Sequence, residues 1–298
     1  MTAITIFGEV LFDCFDEGDK ELNVLGGAPF NICWHLQALG DKPVFISRVG
    51  NDELGHQIIE KASNWGISVD AIQIDKSHPT GQVKVNFIDN EPDYDIKTNS
   101  AYDYIELGDL DELKQNLMPQ NNDKPIFYHG SLALRSSVAK QIFQQSVSAE
   151  QWDIFLDVNL RQPWWDTVSL FKWIKQARWV KLNINELREL GFAHQDLQQA
   201  MLAFQQQFNN EQVIVTQGEE GVTVLAGNQF YACKPPQISH FIDTVGAGDA
   251  FTAVYMHGLV NDWPIDKTLQ EAQAFAAKVI GIRGAIAKDK GFYTELMS

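Results

Sequence analysis

The sequence predicts an α/β protein with a central, mostly parallel sheet, flanking helices and a small β-sheet lid. Short apolar runs alternate with longer segments of helical periodicity, a pattern typical of β-α-β crossover units. The chain has 298 residues, of which 45% are hydrophobic and 21% charged, which is the composition of a folded protein. Two segments with a different period break the alternation and predict the lid.

Six apolar runs predict the strands of the main sheet. They are residues 2–7, 44–49, 126–129, 154–157, 179–183 and 213–216. Helices are predicted between them, among others over residues 29–39 and 53–65. Gly40 and Gly66 follow these two helices and predict their ends, because glycine readily adopts the left-handed conformation that closes a helix.

The lid is predicted from two segments. Residues 80–89 alternate with a period of two, and residues 94–97 follow them after the turn-like stretch 90–93, which indicates a hairpin. Residues 11–25 leave the first strand and return. Segments 11–25 and 80–104 are therefore expected to form a small sheet over one edge of the main sheet, as a lid or as an ordinary peripheral hairpin. Since no repeat or linker appears, residues 1–298 are expected to form one domain.

The charge balance limits the partners. Lys and Arg number 23 against 39 Asp and Glu, so the formal net charge is −16. This negative charge argues against binding to nucleic acid or anionic membranes, because proteins bind both by neutralising their negative charge. The three cysteines are far apart in the sequence, and the first residues lack a basic leader. With no apolar run near the ~18 residues of a membrane span, we expect a cytoplasmic protein.

The most informative segment is Asp-Thr-Val-Gly-Ala-Gly-Asp-Ala-Phe at residues 243–251. Gly246, Ala247 and Gly248 can bring backbone N–H groups close to an anion, and a helix beginning there adds its positive end. Asp249 then lies in the first turn beside the anion. Amide donors and a proton acceptor are what phosphoryl transfer requires. From spacing alone, a loop with a capping aspartate explains the segment as well.

Motifs of other enzyme classes are absent from the sequence. It contains no G-x-x-x-x-G-K-[ST], no G-x-G-x-x-G after the first strand and no H-E-x-x-H. The usual nucleotide-triphosphatase, dinucleotide-binding and zinc-protease interpretations are thereby removed.

The segment 243–251 resembles the signature D-T-x-G-A-G-D-x-F of the PfkB, or ribokinase-like, family of carbohydrate kinases. Four further elements are similar and occur in the family's order: Gly-Gly at 26–27, D-x-N-x-R at 157–161, N-x-x-E at 183–186 and T-x-G-x-x-G at 216–221. The resemblance spans nearly the whole chain and implies a ribokinase-like fold.

The resemblance implies roles for residues around the sugar. Asp249 would be the general base for the attacking hydroxyl, and Gly246, Ala247 and Gly248 would stabilise the charge of the transferred phosphoryl group. The residues implied to bind the sugar are Asp13, Gly26, Gly27 and Asn31, with Arg161 between sugar and phosphate.

The resemblance also implies a site for ATP and its metal ions. Thr216, Gly218 and Gly221 would line the nucleotide site, and Asn183 and Glu186 would lie near Mg²⁺ and its water molecules. A helix cap explains Asn183 and Glu186 nearly as well, because caps have this composition. Asp243 is implied beside a potassium-like monovalent ion.

The resemblance thus implies ATP-dependent phosphorylation of an exocyclic hydroxyl of a sugar. Fructose is favoured, because Gly-Glu at 8–9 with Asp13, and residues 157–161 leading into Pro-Trp, are similar to fructokinases. The alternatives are another sugar, a sugar acid such as 2-keto-3-deoxygluconate, a nucleoside, a non-catalytic binding protein, or a protein that acts through its lid face. Pairing of lids into a homodimer is a further expectation, because open sheet edges are usually covered.

Overall fold

A computed structural model describes residues 3–16, 21–88, 91–106, 124–148, 150–237, 241–294 and 296. The strands are β1 (Ile4–Phe7), β2 (Leu11–Asp16), β3 (Glu21–Gly26), β4 (Val44–Gly50), β5 (Ile72–Asp75), β6 (Gly81–Ile88), β7 (Glu91–Ile96), β8 (Ile126–His129), β9 (Asp153–Asp157), β10 (Trp179–Asn183), β11 (Gln212–Thr216), β12 (Val222–Ala226) and β13 (Gln229–Cys233). The helices are α1 (Ala28–Leu39), α2 (Glu53–Trp65), α3 (Ser137–Ser146), α4 (Thr167–Gln176), α5 (Ile184–Glu189), α6 (Leu197–Phe208), α7 (Ala247–Val260) and α8 (Ile265–Val279).

The main sheet has nine strands within the described residues, in the order β13-β12-β11-β10-β9-β8-β1-β4-β5. Neighbours from β11 to β5 run parallel, whereas β12 and β13 add an antiparallel edge. The α/β prediction is confirmed. All six predicted strands form, and no end differs from the prediction by more than two residues.

The two helices with predicted ends begin and end for local reasons. α1 has Pro29 in its first turn, and α2 is capped by Asp52, whose carboxylate accepts a hydrogen bond from the Gly55 amide at 2.8 Å. Gly40 and Gly66 close the two helices in the left-handed conformation, as the sequence predicts.

A separate four-stranded sheet forms from the segments predicted as the lid, in the order β3-β2-β6-β7. β2 and β3 are a hairpin, β6 and β7 are another, and β2 joins the two by pairing parallel with β6. The turn predicted at 90–93 is wrong, because residues 91–93 belong to β7; Asn90 lies outside the described residues. A strand containing Pro92 at the sheet edge is compatible with pairing, since an edge strand has one unpaired side.

Each face of the main sheet is covered by its own apolar cluster. Ile6 and Phe155 belong to one cluster, and Phe7 and Leu156 to the other, because successive side chains of a strand point to opposite faces. α1, α2, α7 and α8 pack on the first face, and α3, α4 and α6 on the second. Because the central strands run parallel, their carboxyl ends lie together at one edge of the sheet, which is where open α/β sheets bind ligands.

Two findings concern membrane-spanning helices and cysteines. Within the part of the chain that the structure describes, no helix has the length and hydrophobicity needed to cross a membrane. All three cysteines lie in that part, and none forms a disulfide.

A buried ion pair fixes the segment after the small sheet to the main body. Arg135 donates to Asp103 through Nε at 2.6 Å and Nη2 at 2.8 Å, and both side chains are nearly inaccessible. We predict that Arg135→Met lowers the free energy of unfolding by about 3–5 kcal/mol, because Asp103 keeps a buried charge without its partner.

The matched control is Arg178→Met. Arg178 also pairs with two carboxylates, Asp153 and Glu211, but is 41% exposed, so its loss is expected to cost less than about 1 kcal/mol. Urea unfolding measures both variants, and equal losses would contradict the assignment of Arg135.

Candidate active site

The start of α7 lies at the carboxyl edge of the sheet and presents backbone amides. Gly246 caps the helix at φ 80°, and Ala247, Gly248 and Asp249 form its first turn. The amides of Gly246 and Gly248 donate to no acceptor among the described residues, whereas the Ala247 amide reaches the Thr244 carbonyl at 3.3 Å. A methyl group on Gly246 would lie 2.4 Å from the Ala285 backbone, so this turn requires glycine. The helix therefore begins with donors available to an anion.

Asp249 is joined to the N-terminal part of the chain. Asn31 in α1 donates through Nδ2 to Asp249 Oδ2 at 2.8 Å, across 218 residues of sequence. Asn31 is buried, and its Oδ1 has no hydrogen-bond partner among the described residues. This contact explains why a poor helix former lies inside α1.

Two glycines before α1 allow close approach of the small sheet. Gly27 has φ 105°, and a methyl group there would lie 2.7 Å from the Glu9 carbonyl oxygen. A methyl group on Gly26 would lie 3.0 Å from Asp13 Oδ2. The structure therefore brings Asp13, Gly26, Gly27 and Asn31 together, and Asn31 connects them with Asp249.

Three acidic side chains in this region have raised pKa values. Burial raises the pKa of Glu9 to about 7 and the pKa values of Asp13 and Asp249 to about 6. Arg161 opposes the shift in all three. The Arg161 side chain is largely exposed and donates to the Leu160 carbonyl at 3.1 Å. Its charge therefore acts on Glu9, Asp13 and Asp249.

Glu9 lies in the same region as these residues, and the sequence analysis assigned it no role. It is only 3% exposed, and its Oε2 has no hydrogen-bond partner among the described residues. The Asp249 charge raises its pKa, and Arg135 lowers it, so it faces the same region. An acidic residue two positions after an apolar strand is the signal that could have identified it.

Asn183 and Glu186 form a helix cap, as the alternative from the sequence had it. Asn183 Oδ1 accepts from the Asn185 and Glu186 amides at 2.9 Å, while Glu186 Oε2 accepts from the Asn183 amide at 2.7 Å. Glu186 Oε1 accepts from the Leu160 amide at 2.8 Å. Burial raises the pKa of Glu186. Its first role is structural, and it holds the loop after β9 against α5.

The donor set near Glu186 suits a metal ion held through water. No cluster of three or more His, Cys, Asp or Glu side chains with metal-binding geometry occurs in the described residues. However, Asp157 Oδ1 is buried without a hydrogen-bond partner there, and its charge acts on Glu186. Carboxylate oxygens with unused lone pairs fit the water shell of Mg²⁺.

The residues implied for the nucleotide lie along the same edge. Thr216 ends β11 beside Asn183 of β10. Gly218 and Gly221 follow in a tight turn closed by the Gln217 amide and the Gly221 carbonyl at 2.8 Å. Gly221 has φ 100°, and a methyl group there would lie 2.2 Å from the Cys233 carbonyl oxygen. This loop therefore needs glycine for its shape.

Asp243 fixes the loop before α7. Its Oδ1 accepts from the Val245 amide at 3.0 Å and its Oδ2 from the Gly284 amide at 3.3 Å. Asp243 and the segment around Gly284 thus meet.

We predict that Glu9 makes the unliganded protein less stable as pH rises. Its pKa of about 7 in the folded state exceeds the ordinary 4.5, so the folded state binds more protons between these values and stability falls with rising pH. The full loss is on the order of 3 kcal/mol, and Glu9→Gln is expected to flatten the curve.

Urea unfolding between pH 4.5 and 8 checks this prediction, with Glu60→Gln on the exposed face of α2 as the control. Parallel curves for wild type and Glu9→Gln would show that folding does not raise the pKa of Glu9.

The sequence matches the model of the "pfkB family carbohydrate kinase" over residues 1–290. Among known proteins it is similar to the probable fructokinase-5 of Arabidopsis thaliana, with 27% identity over 92% of this chain and 88% of that protein. It is also similar to a fructokinase of Salmonella typhimurium, with 24% identity over 96% and 94%.

Solved structures show the same fold. The fructokinase with bound ATP from Xylella fastidiosa has a TM-score of 0.82 at 19% identity and covers 99% of both chains. The fructokinase from Vibrio cholerae O395 in its fructose, ADP and calcium ion bound form has a TM-score of 0.78 at 22% identity, covering 99% of this chain and 98% of that one. At these identities the likeness concerns the fold alone. The family match over nearly the whole chain identifies this protein as a member of the pfkB family of carbohydrate kinases, a fructokinase-like sugar kinase that uses ATP.

Proposed function

We propose that this kinase transfers the γ-phosphoryl group of ATP to an exocyclic hydroxyl of fructose. The observation that carries the proposal is the Asn31–Asp249 hydrogen bond at the start of α7, beside the open amides of Gly246 and Gly248. This contact supports the proposal, because it joins the proposed proton acceptor to a side chain of the proposed sugar site, beside amide donors that suit an anion.

The reaction proceeds by attack of the hydroxyl oxygen on the γ-phosphorus. A new O–P bond forms, the bond from phosphorus to the β,γ-bridging oxygen breaks, and ADP leaves with that electron pair. Asp249 accepts the hydroxyl proton. With a pKa of about 6 it is ionised near neutral pH, yet it is a stronger base than an ordinary aspartate. The amides of residues 246–248 stabilise the charge on the phosphoryl oxygens.

The remaining site residues are proposed to hold the reactants. Asp13, Gly26, Gly27 and Asn31 bind the sugar hydroxyls, and Arg161 lies between sugar and phosphate, consistent with its influence on all three acids. Thr216, Gly218 and Gly221 line the nucleotide site. The lid formed by segments 11–25 and 80–104 closes over the sugar and excludes water that would otherwise accept the phosphoryl group.

Mg²⁺ is proposed to accompany ATP, where it would neutralise phosphate charge. Glu186 and Asn183 would hold its water molecules, with Asp157 Oδ1 available beside them. Asp243 is proposed beside a potassium-like ion, because its carboxylate joins the two loops that would surround such an ion.

Fructose is the first substrate to test, because the relatives compared above are named fructokinases. Another sugar, a sugar acid or a nucleoside is the alternative within the same chemistry. We propose that the protein acts on small molecules, because its net charge of −16 opposes the binding of polyanionic partners. We also propose that it works in the cytoplasm. ADP release measured over a panel of sugars, sugar acids and nucleosides selects among these substrates.

We predict that Asp249→Asn folds and binds sugar but loses about 10²- to 10⁴-fold in kcat, the range for removal of a general base. In the wild type, kcat should fall as pH drops below about 6, because the protonated carboxyl cannot accept the hydroxyl proton. A coupled ADP assay with fructose, repeated from pH 5 to 8, measures both effects.

The control is Asp262→Asn, which also removes one aspartate charge near α7 but from beyond its opposite end, at an exposed position with φ 51° that asparagine adopts readily. Its kcat should equal that of the wild type. A near-normal kcat in folded Asp249→Asn would remove Asp249 from the mechanism.

A homodimer formed through the lids is also proposed. β3 and β7 are the edges of the small sheet, and their unpaired backbone groups are a natural site for pairing.

We predict that light scattering gives twice the mass of one chain. Asn23→Lys, which adds a charge at an exposed position of β3, should shift the protein toward monomer. A wild-type monomer at assay concentrations would contradict the proposal.

A further inference from the structure

Lys181 is a buried cation in the middle of the main sheet. It lies on β10 between Val180 and Leu182, two fully buried residues that face the opposite side. By the alternation of the strand it points to the face that carries Trp179 and α7, where an apolar side chain is expected. Lys181 is only 8% exposed. Burying an ammonium group costs several kcal/mol unless it is compensated, so this lysine requires an explanation.

Part of the compensation comes from Asp157 on the neighbouring strand. Lys181 Nζ donates to Asp157 Oδ2 at 2.8 Å, and the two residues are register partners in β9 and β10. Burial lowers the pKa of Lys181, but the nearby carboxylates of Asp157, Asp249 and Glu186 outweigh it, so the pKa lies above its ordinary value.

The ammonium group lies next to the amides at the start of α7. A methyl group on Gly248 would lie 3.3 Å from Lys181 Nζ. The Thr252 hydroxyl, one turn further along α7, is 3.1 Å from Asp157 Oδ2 and 2.9 Å from the Gly248 carbonyl oxygen. The Lys181–Asp157 pair is thus tied to the helix that presents the anion site.

An ion pair with Asp157 leaves the ammonium group with unused capacity. It has three N–H donors, and Asp157 is its one hydrogen-bond acceptor among the described residues. Donors that remain free beside exposed amides are suited to phosphate oxygens. In a site of low dielectric constant, a full positive charge there stabilises a phosphate more strongly than an amide dipole does.

We infer that Lys181 is a further catalytic residue, whose ammonium group donates a hydrogen bond to the phosphoryl group held by the amides of Gly246 and Gly248. Asp157 is the positioning residue that holds the ammonium group under Gly248. The inference rests on the proposed function. The proton of the sugar hydroxyl still goes to Asp249, and Lys181 keeps its own protons throughout.

The test is Lys181→Met, which keeps the length of the side chain and removes its charge. We expect kcat to fall about 10²- to 10³-fold, as for loss of a strong donor to the transition state, with the dissociation constant of the sugar changed less than threefold. Lys140→Met, which removes a lysine from the Asp166 pair on the surface, is the control and should keep wild-type kcat.

A second variant guards against misfolding. If Lys181→Met is unstable because Asp157 loses its partner, Lys181→Met/Asp157→Asn removes both charges and restores a neutral interior. If Lys181 served only to neutralise Asp157, this double variant would regain a kcat within threefold of wild type, and the inference would be overturned. A folded double variant that is at least tenfold slower than Asp157→Asn alone supports the inference, and one with the same kcat as Asp157→Asn overturns it. A Lys181→Met protein that is stable but slow also supports it.

Nucleotide binding separates this inference from the proposed function. By calorimetry, Lys181→Met should weaken binding of the non-hydrolysable analogue AMP-PNP at least tenfold and binding of AMP less than twofold. Unchanged AMP-PNP affinity together with normal kcat rejects the role of Lys181. Absence of sugar-dependent ADP formation by the wild type rejects the proposed function instead, and the AMP-PNP comparison then still decides whether Lys181 contacts phosphate.

Discussion

The Asn31–Asp249 hydrogen bond depends on one constraint, the parallel order of the central strands. Parallel strands place their carboxyl ends at one edge, and the loops after β1, β9, β10 and β11 therefore meet there although they are distant in sequence. α1 and α7 pack on the same face and bring Asn31 against Asp249 across 218 residues. A strand out of register would separate Asp249 from Asn31, so the proposed chemistry requires the whole sheet.

The same constraint concentrates charge in a poorly solvated space. Glu9, Asp13 and Asp249 all have raised pKa values because burial disfavours their ionised forms. Folding alone does not favour such a cluster, since each buried acid costs stability near neutral pH. Arg161 offsets part of this cost for all three acids, and Lys181 does so for Asp249. Clusters of perturbed acids of this kind are typical of functional sites.

Much of the fold was predictable from the sequence, because strands buried on both faces are short, apolar and separated by helices ended by glycine. The site was predictable where a residue type has few other uses, as with Gly246 at a positive φ. The start of β7 was not, because Glu91-Pro92-Asp93 has turn composition and only pairing with β6 makes it a strand. Asn183 and Glu186 remained ambiguous, since caps and metal ligands use the same atoms. Glu9 and Lys181 were missed because their significance lies in burial, which one sequence does not display.

The net charge of −16 adds a last requirement for a protein that binds ATP. Its overall field repels a polyanionic nucleotide, but salt limits this repulsion to about 8 Å at physiological ionic strength. Within that distance, the groups at the start of α7 determine the potential. Helix amides supply partial charges only, and they stand beside the carboxylates of Asp249 and Asp157. A full positive charge beside the first turn of α7 therefore offsets the negative charge of these acids, which the amides alone would leave in excess. Lys181 supplies that charge, because its Nζ would lie 3.3 Å from a methyl group on Gly248.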